Sequence, residues 1–161
     1  MNQAHYHLLL NHLPIIGTLI GILTLAAGFL LKSSHVKRTA LVIFVFAAVS
    51  AIPAFLTGEG AEEVVEEMPG VTEFVIEQHE DLAAIFIWLT SALGIVALLT
   101  LISDLRAMGL SKILYGLTAS LCIATMVLAQ QVGTTGGKVR HTEIRTSADQ
   151  GAAPQPDDDD D

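Results

Sequence analysis

Residues 82–103 read LAAIFIWLTSALGIVALLTLIS and carry no charged side chain. A helix of roughly 20 apolar residues crosses a hydrocarbon core of about 30 Å, and this run is long enough. The same property recurs on either side of it. Residues 39–58 and 113–137 also lack Asp, Glu, Lys and Arg, and none of these precedes Lys32. The 161-residue chain is 52% hydrophobic and 16% charged, against about 25% charged in a soluble domain. Four apolar runs leave no sequence from which to build a separate soluble domain. The expected fold is all-α: an integral membrane, up-down four-helix bundle with an acidic extramembrane helical loop.

Punctuation sets the helix limits at about 12–32, 38–57, 71–104 and 112–131. Asn11 or His12 can cap the first helix, with Pro14 in its first turn, where the missing N–H does little harm. Pro53 should kink the second, and Gly58 and Gly60 stop it. The connections 33–38 and 105–111 are short, so each joins antiparallel neighbours. Gly17 and Gly21 form a small-xxx-small pair, which permits close helix approach within the bundle or between proteins. Residues 1–145 form the membrane domain, and the polar tail 146–161 is expected to be disordered.

The net charge of −9 is concentrated in 59–81 and in the terminal run 157–161. The acidic loop is a solvated helix face or a landing site for a basic partner. Basic patches with interleaved aromatics are missing, which argues against nucleic-acid binding. Lys32, Lys37, Arg38, Arg106 and Lys112 flank the two short turns. The positive-inside rule places those turns in the cytoplasm. Both termini and the acidic loop then lie outside an inner (cytoplasmic) membrane, on the periplasmic side. The start of the chain lacks a basic n-region and a small-residue cleavage site, so no cleavable signal peptide is expected. Cys122, the single cysteine, reads as a small buried side chain.

Six histidines are present. His35 lies among Lys37 and Arg38 at headgroup level. The topology brings His5, His7, His12, His79 and His141 to the opposite side. Val75, His79, Leu82, Phe86, Leu89 and Leu93 follow helical steps and share one face. His79 therefore points inward, while Glu73, Glu77, Glu80 and Asp81 fall largely off that stripe. A histidine at the end of a bundle is a functional-site hypothesis; its plainer reading is a buried imidazole bonded to a backbone carbonyl or to Gln130. His12 and His79 begin diagonal helices and make the preferred axial pair for haem b. An alternative is a copper, zinc or iron ion on His5, His7, His12 or His141 with Glu59 or Glu62, the His5-x-His7 segment being extended. A third is no cofactor at all. Hydrolase and nucleotide motifs are missing, so no stand-alone catalytic activity is expected.

His5-x-x-Leu-x-x-x-His12-x-Pro14-Ile15, Thr57-Gly58, His79 and Gly136-Gly137-x-x-x-His141 together resemble a bacterial four-helix membrane domain of unknown function. Some relatives of that domain are fused to Rieske-type iron–sulfur domains. The likeness covers about residues 1–144. It departs at Val139-Arg140-His141-Thr142, where the family commonly reads Val-Tyr-x-His-Gly. The resemblance implies a cluster of His12, His79 and His141, and electron-transfer chemistry by association. The leading expectation is a haem- or metal-binding redox component that passes electrons from quinol to an outward-facing redox protein. The rival is an accessory or assembly subunit that docks a membrane complex through its Gly17/Gly21 face.

Overall fold

The computed structural model describes residues 2–146 and 149, and every element among them is helical. The helices are α1 (Gln3–Leu10), α2 (His12–Leu30), α3 (Ser34–Leu56), α4 (Glu59–Glu66), α5 (Glu73–Leu105) and α6 (Ser111–Arg140), followed by a 3-10 turn at Thr142–Ile144. Four helical stretches are long and apolar enough to cross a membrane: Gln3–Leu30, Ser34–Leu56, Glu73–Leu105 and Ser111–Arg140. The up-down order is as expected. α2 packs on α3, α3 on α5 and α5 on α6, with a sparser seam between α2 and α6. α2 and α5 are therefore diagonal. Of the tail expected to be disordered, residues 147–148 and 150–161 lie outside the described residues.

The α2–α3 interface explains the glycines of the first helix. An ideal Cβ on Gly17 would lie 3.1 Å from the Ala47 Cβ, and one on Gly21 would lie 2.5 Å from the Phe44 ring. Both positions are thus filled by α3 of the same chain. The small-residue face offered for docking a larger complex is spent inside the bundle.

The two hairpins turn in the same way. Lys32 and Ala107 both adopt φ 51° just beyond their helices. The Ser33 N–H reaches back to the Gly28 carbonyl at 3.0 Å, and the Met108 N–H to the Ser103 carbonyl at 2.9 Å. This six-to-one bond satisfies a carbonyl that a helix end would otherwise leave bare. Both turns lie at one end, the basic end. There Arg38 Nε donates to Asp104 Oδ2 at 2.6 Å, tying α3 to α5. Lys37 lies 5.4 Å from the Phe29 ring centre and 5.0 Å from that of Tyr115, a cation held over two aromatic rings.

Two boundaries differ from expectation at the opposite end. Residues 3–10 are helical, where His5 and His7 were expected in an extended segment. Asn2 caps this helix, its side-chain oxygen accepting from the His5 N–H at 3.1 Å. The long acidic connection is helical as expected, forming α4, and α1 packs on it, with the Gln3 side chain lying against Gly60. α6 continues to Arg140 and does not end near residue 131. Gly133, Gly136 and Gly137 lie inside it, and Gly136 makes room for a neighbour on α5. α5, at about 1.5 Å per residue, likewise extends beyond the apolar span before entering it.

Candidate functional site

The histidine end is built from four helices. α1 brings His7, the C-terminal turn of α3 brings the Ala54 carbonyl and Thr57, α5 brings His79, and α6 brings Thr135 and Gly136. Beneath them Phe86, Ala129 and Val132 form an apolar floor, with Ile15, Leu82 and Leu128 against it. The ring centres of His7 and His79 are 6.4 Å apart and their planes are at 86°. Both side chains are half-buried.

Helical backbone explains why His7 and not His5 turns inward. Side chains two apart on a helix point about 200° from each other, so only one of the pair can face the bundle. His5 is exposed. His7 Nδ1 lies 2.9 Å from the Ala54 carbonyl oxygen and 3.4 Å from Thr57 Oγ1. A carbonyl only accepts, so Nδ1 carries the proton and donates. The Ala54 carbonyl also lies 3.0 Å from the Thr57 hydroxyl, whose one hydrogen goes to it or to the Pro53 carbonyl. It lies in the last turn of α3, and the Gly58 N–H that would reach it in a continuing helix bonds to Phe55 instead, at 3.0 Å.

His79 is held in a similar way. Its Nδ1 lies 3.2 Å from Thr135 Oγ1. The Thr135 hydroxyl donates to the carbonyl of Gln131 or Val132, each at 3.1 Å. With its hydrogen used, Thr135 Oγ1 accepts from His79 Nδ1–H. The imidazole also lies flat on α6: a Cβ at Gly136 would be 2.9, 3.3 and 3.5 Å from His79 Cε1, Nδ1 and Nε2. With the proton on Nδ1, which the Ala54 carbonyl requires of His7 and the Thr135 hydroxyl allows in His79, each neutral ring leaves Nε2 with a free lone pair. A metal-binding histidine characteristically has this arrangement, its second nitrogen donating to an oxygen that fixes the tautomer.

The other candidates do not join the pair. His12 is exposed, and its Nδ1 lies 3.2 Å from the Leu8 carbonyl one turn back. His141 is exposed beyond α6 and lies 2.9 Å from Glu143 Oε1. The pair the structure brings together is thus His7–His79, whereas the sequence favours His12–His79. Thr135 and Gly136 are further members of the site. The signal for His7 was Asn2 at the capping distance from His5; the signal for Gly136 was a glycine continuing the inward face of the fourth apolar run.

Two metal–nitrogen bonds of about 2.0 Å, extended to the ring centres, put imidazoles on opposite sides of one ion about 6 Å apart. The observed separation agrees with that. Among the described residues no set of three His, Cys, Asp or Glu side chains converges to hold a metal ion. Zinc typically takes at least three protein ligands. Haem iron, held already by its macrocycle, asks a protein only for axial ligands, a demand that a pair of imidazoles would meet. No family model, curated protein or solved structure matches this chain.

Proposed function

We propose that this protein is a haem b-binding redox component of a membrane, with His7 and His79 as axial ligands. The observation that carries the reading is the imidazole pair 6.4 Å apart, each ring fixed through Nδ1 to an oxygen. Haem supplies reversible one-electron iron chemistry when bound. The chain's own residues orient the two rings: Ala54 and Thr135 set their tautomers, and Gly136 gives His79 a flat seat. The apolar floor of Phe86 and Val132 limits water beneath the site and favours a buried, uncharged surface.

The cations that flank both short turns lie at the other end of the bundle. By the positive-inside rule that end is cytoplasmic, and the histidine end faces outward, the periplasm in a diderm bacterium. The site is then placed to take electrons from a donor dissolved in the bilayer and deliver them to an outward-facing protein. The resemblance to a domain with Rieske-fused relatives supports the same chemistry by association. The protein acts as a carrier, not as a stand-alone enzyme.

The test is the visible spectrum of the full chain purified in mild detergent, oxidised and dithionite-reduced. Soret and α-bands are expected, lost in both His7→Ala and His79→Ala and retained in His5→Ala and His12→Ala. Retention in His7→Ala with loss in His12→Ala returns the second ligand to His12. An absent spectrum with stoichiometric copper or iron replaces haem by a bare ion. Neither haem nor metal, with a stoichiometric partner protein co-purifying, leaves the accessory-subunit reading.

A further inference from the structure

Beside the histidine pair, α5 and α6 part to leave an open cleft of about 640 Å³. Pockets that take small molecules are typically about 300–1,000 Å³. Its walls are two facing helical stripes. α5 contributes Gln78, Asp81 and Leu82; α6 contributes Val127, Gln130, Gln131, Thr134 and Thr135. The apolar members lie toward the membrane span and the polar members toward the histidine end, so the cleft sits where the apolar span gives way to water. No lysine or arginine lines it among the described residues. A phosphate headgroup draws on such cations. Amides and a hydroxyl instead suit neutral oxygens on an otherwise apolar ring.

Thr135 gives the cleft a direct connection to the site. It lines the cleft and also accepts the hydrogen bond of His79 Nδ1 at 3.2 Å. We propose that the cleft binds the ring of a membrane quinol, the Gln130 side-chain amide donating to one ring oxygen and Thr134 Oγ1, whose own hydrogen goes to the Gln130 backbone carbonyl at 2.8 Å, accepting from a ring hydroxyl. The proposal rests on the redox reading above and specifies its electron donor. Conversion of quinol to quinone releases two electrons and two protons. Haem held by His7 and His79 would supply a one-electron acceptor on the His79 side of the cleft, an outward-facing oxidised protein being the final acceptor of both electrons. The protons would go to the exposed Asp81 carboxylate, and from there to solvent.

The chain contains its own reporter. Trp88 is its one tryptophan and is 79% exposed. It lies two turns beyond Asp81 on nearly the same face of α5, about 10 Å along the axis. Quinones quench tryptophan emission on contact. The experiment titrates decylubiquinone into the full chain in phosphatidylcholine nanodiscs and follows Trp88 fluorescence, both with haem bound and without it. Saturable quenching is expected in either form, weakened about tenfold or more in a Gln130→Leu/Thr134→Val variant that retains its helical content. A loss of one or two neutral hydrogen bonds has about that effect. Quenching that stays linear in quinone, or a saturable curve unchanged in the variant, overturns the proposal. The two readings fail separately. Saturation without any haem spectrum keeps the cleft and removes the haem; a haem spectrum with linear quenching keeps the haem and removes the cleft.

Discussion

The imidazole of His79 rests face-on against Gly136, whose missing side chain is the space the ring occupies. A Cβ there would fall 2.9 Å from the nearest ring atom, closer than a packed carbon tolerates. The contact explains why a glycine persists in the interior of α6, where it costs roughly 1 kcal/mol of helix propensity relative to alanine. It also makes Gly136 a positioning residue for the His79 imidazole in the proposed haem site.

Gly136→Ala should therefore displace His79 and abolish or shift the absorbance of the proposed haem, while the helix itself gains propensity. Gly116, in the same helix, has nothing within 4 Å of its virtual Cβ. Gly116→Ala should leave the spectrum unchanged and raise the melting temperature, consistent with a gain of about 0.4–1 kcal/mol. If both variants retain the wild-type spectrum, the contact between His79 and Gly136 has no role in the site.

Arg38 and Asp104 clamp the other end, their side chains 32% and 16% exposed. An exposed ion pair is worth about 0–1 kcal/mol, whereas breaking a buried one costs about 3–5 kcal/mol. This pair lies between those limits. Asp104→Asn should destabilise by about 1–3 kcal/mol in reversible detergent unfolding. A double-mutant cycle with Arg38→Gln should recover most of that loss as coupling. Additive effects would show that the contact contributes no stability of its own.

Ala107 and Lys32 occupy left-handed backbone, which costs a non-glycine residue about 1–2 kcal/mol. Ala107→Gly should relieve part of this and raise the melting temperature. The gain is limited because glycine also enlarges the unfolded ensemble. A drop in melting temperature would argue that Ala107 makes contacts that outweigh its strained φ.

Glu62 on α4 has its carboxyl pushed above the ordinary range, chiefly by a hydrogen bond shared with the Glu80 carboxyl, with slight burial and the charges of Glu80 and Glu59 adding to it. A raised folded value means the stabilising contact is present while Glu62 is protonated. It is lost as pH rises from the unfolded carboxylate value through the folded one. Docking of α4 on the bundle end should therefore loosen across that acidic window, seen as faster amide exchange in Glu59–Glu66. Glu62→Gln should remove the dependence. An exchange profile equally steep in Glu62→Gln would assign it to another group.

The bundle was legible because hydrophobic run length and short turns leave little choice of fold. The inward face of α5 was legible too: Val75, Phe86 and Leu93 are buried as their spacing requires. What could not be read was side-chain direction in 3–10. There a helix and a strand send His5 and His7 to different neighbours, and the choice depends on α1 packing on α4, a contact distant in sequence. The glycines of α6 misled for a related reason. Locally they read as a stop, but the extended α5 packs beside them, and tertiary contact overrides propensity. His12 was favoured for its place at the start of a span; its ring faces outward, so place along the axis did not determine its partner.

Thr90 and Thr125 provide the last test, in the middle of the bundle. Both are fully buried, and among the described residues neither hydroxyl oxygen has a hydrogen-bond partner. Elsewhere in the core the same residue type is satisfied: Thr100 and Thr118 lie 2.9 Å apart, so that one hydroxyl donates to the other, which donates to a carbonyl of its own helix within 2.8 Å. An unpaired buried hydroxyl costs about 1–3 kcal/mol, and replacing it by an apolar group of the same shape removes that cost. Thr90→Val and Thr125→Val should each be neutral or stabilising by up to about 1 kcal/mol. Thr118→Val should instead destabilise by about 0.5–1.5 kcal/mol, the typical net value of a hydrogen bond. The opposite signs, measured in one detergent, separate cost from contribution at residues of one chemical type. If Thr90→Val instead destabilises like Thr118→Val, its hydroxyl has a partner in the membrane, and the middle of the bundle holds a bound water.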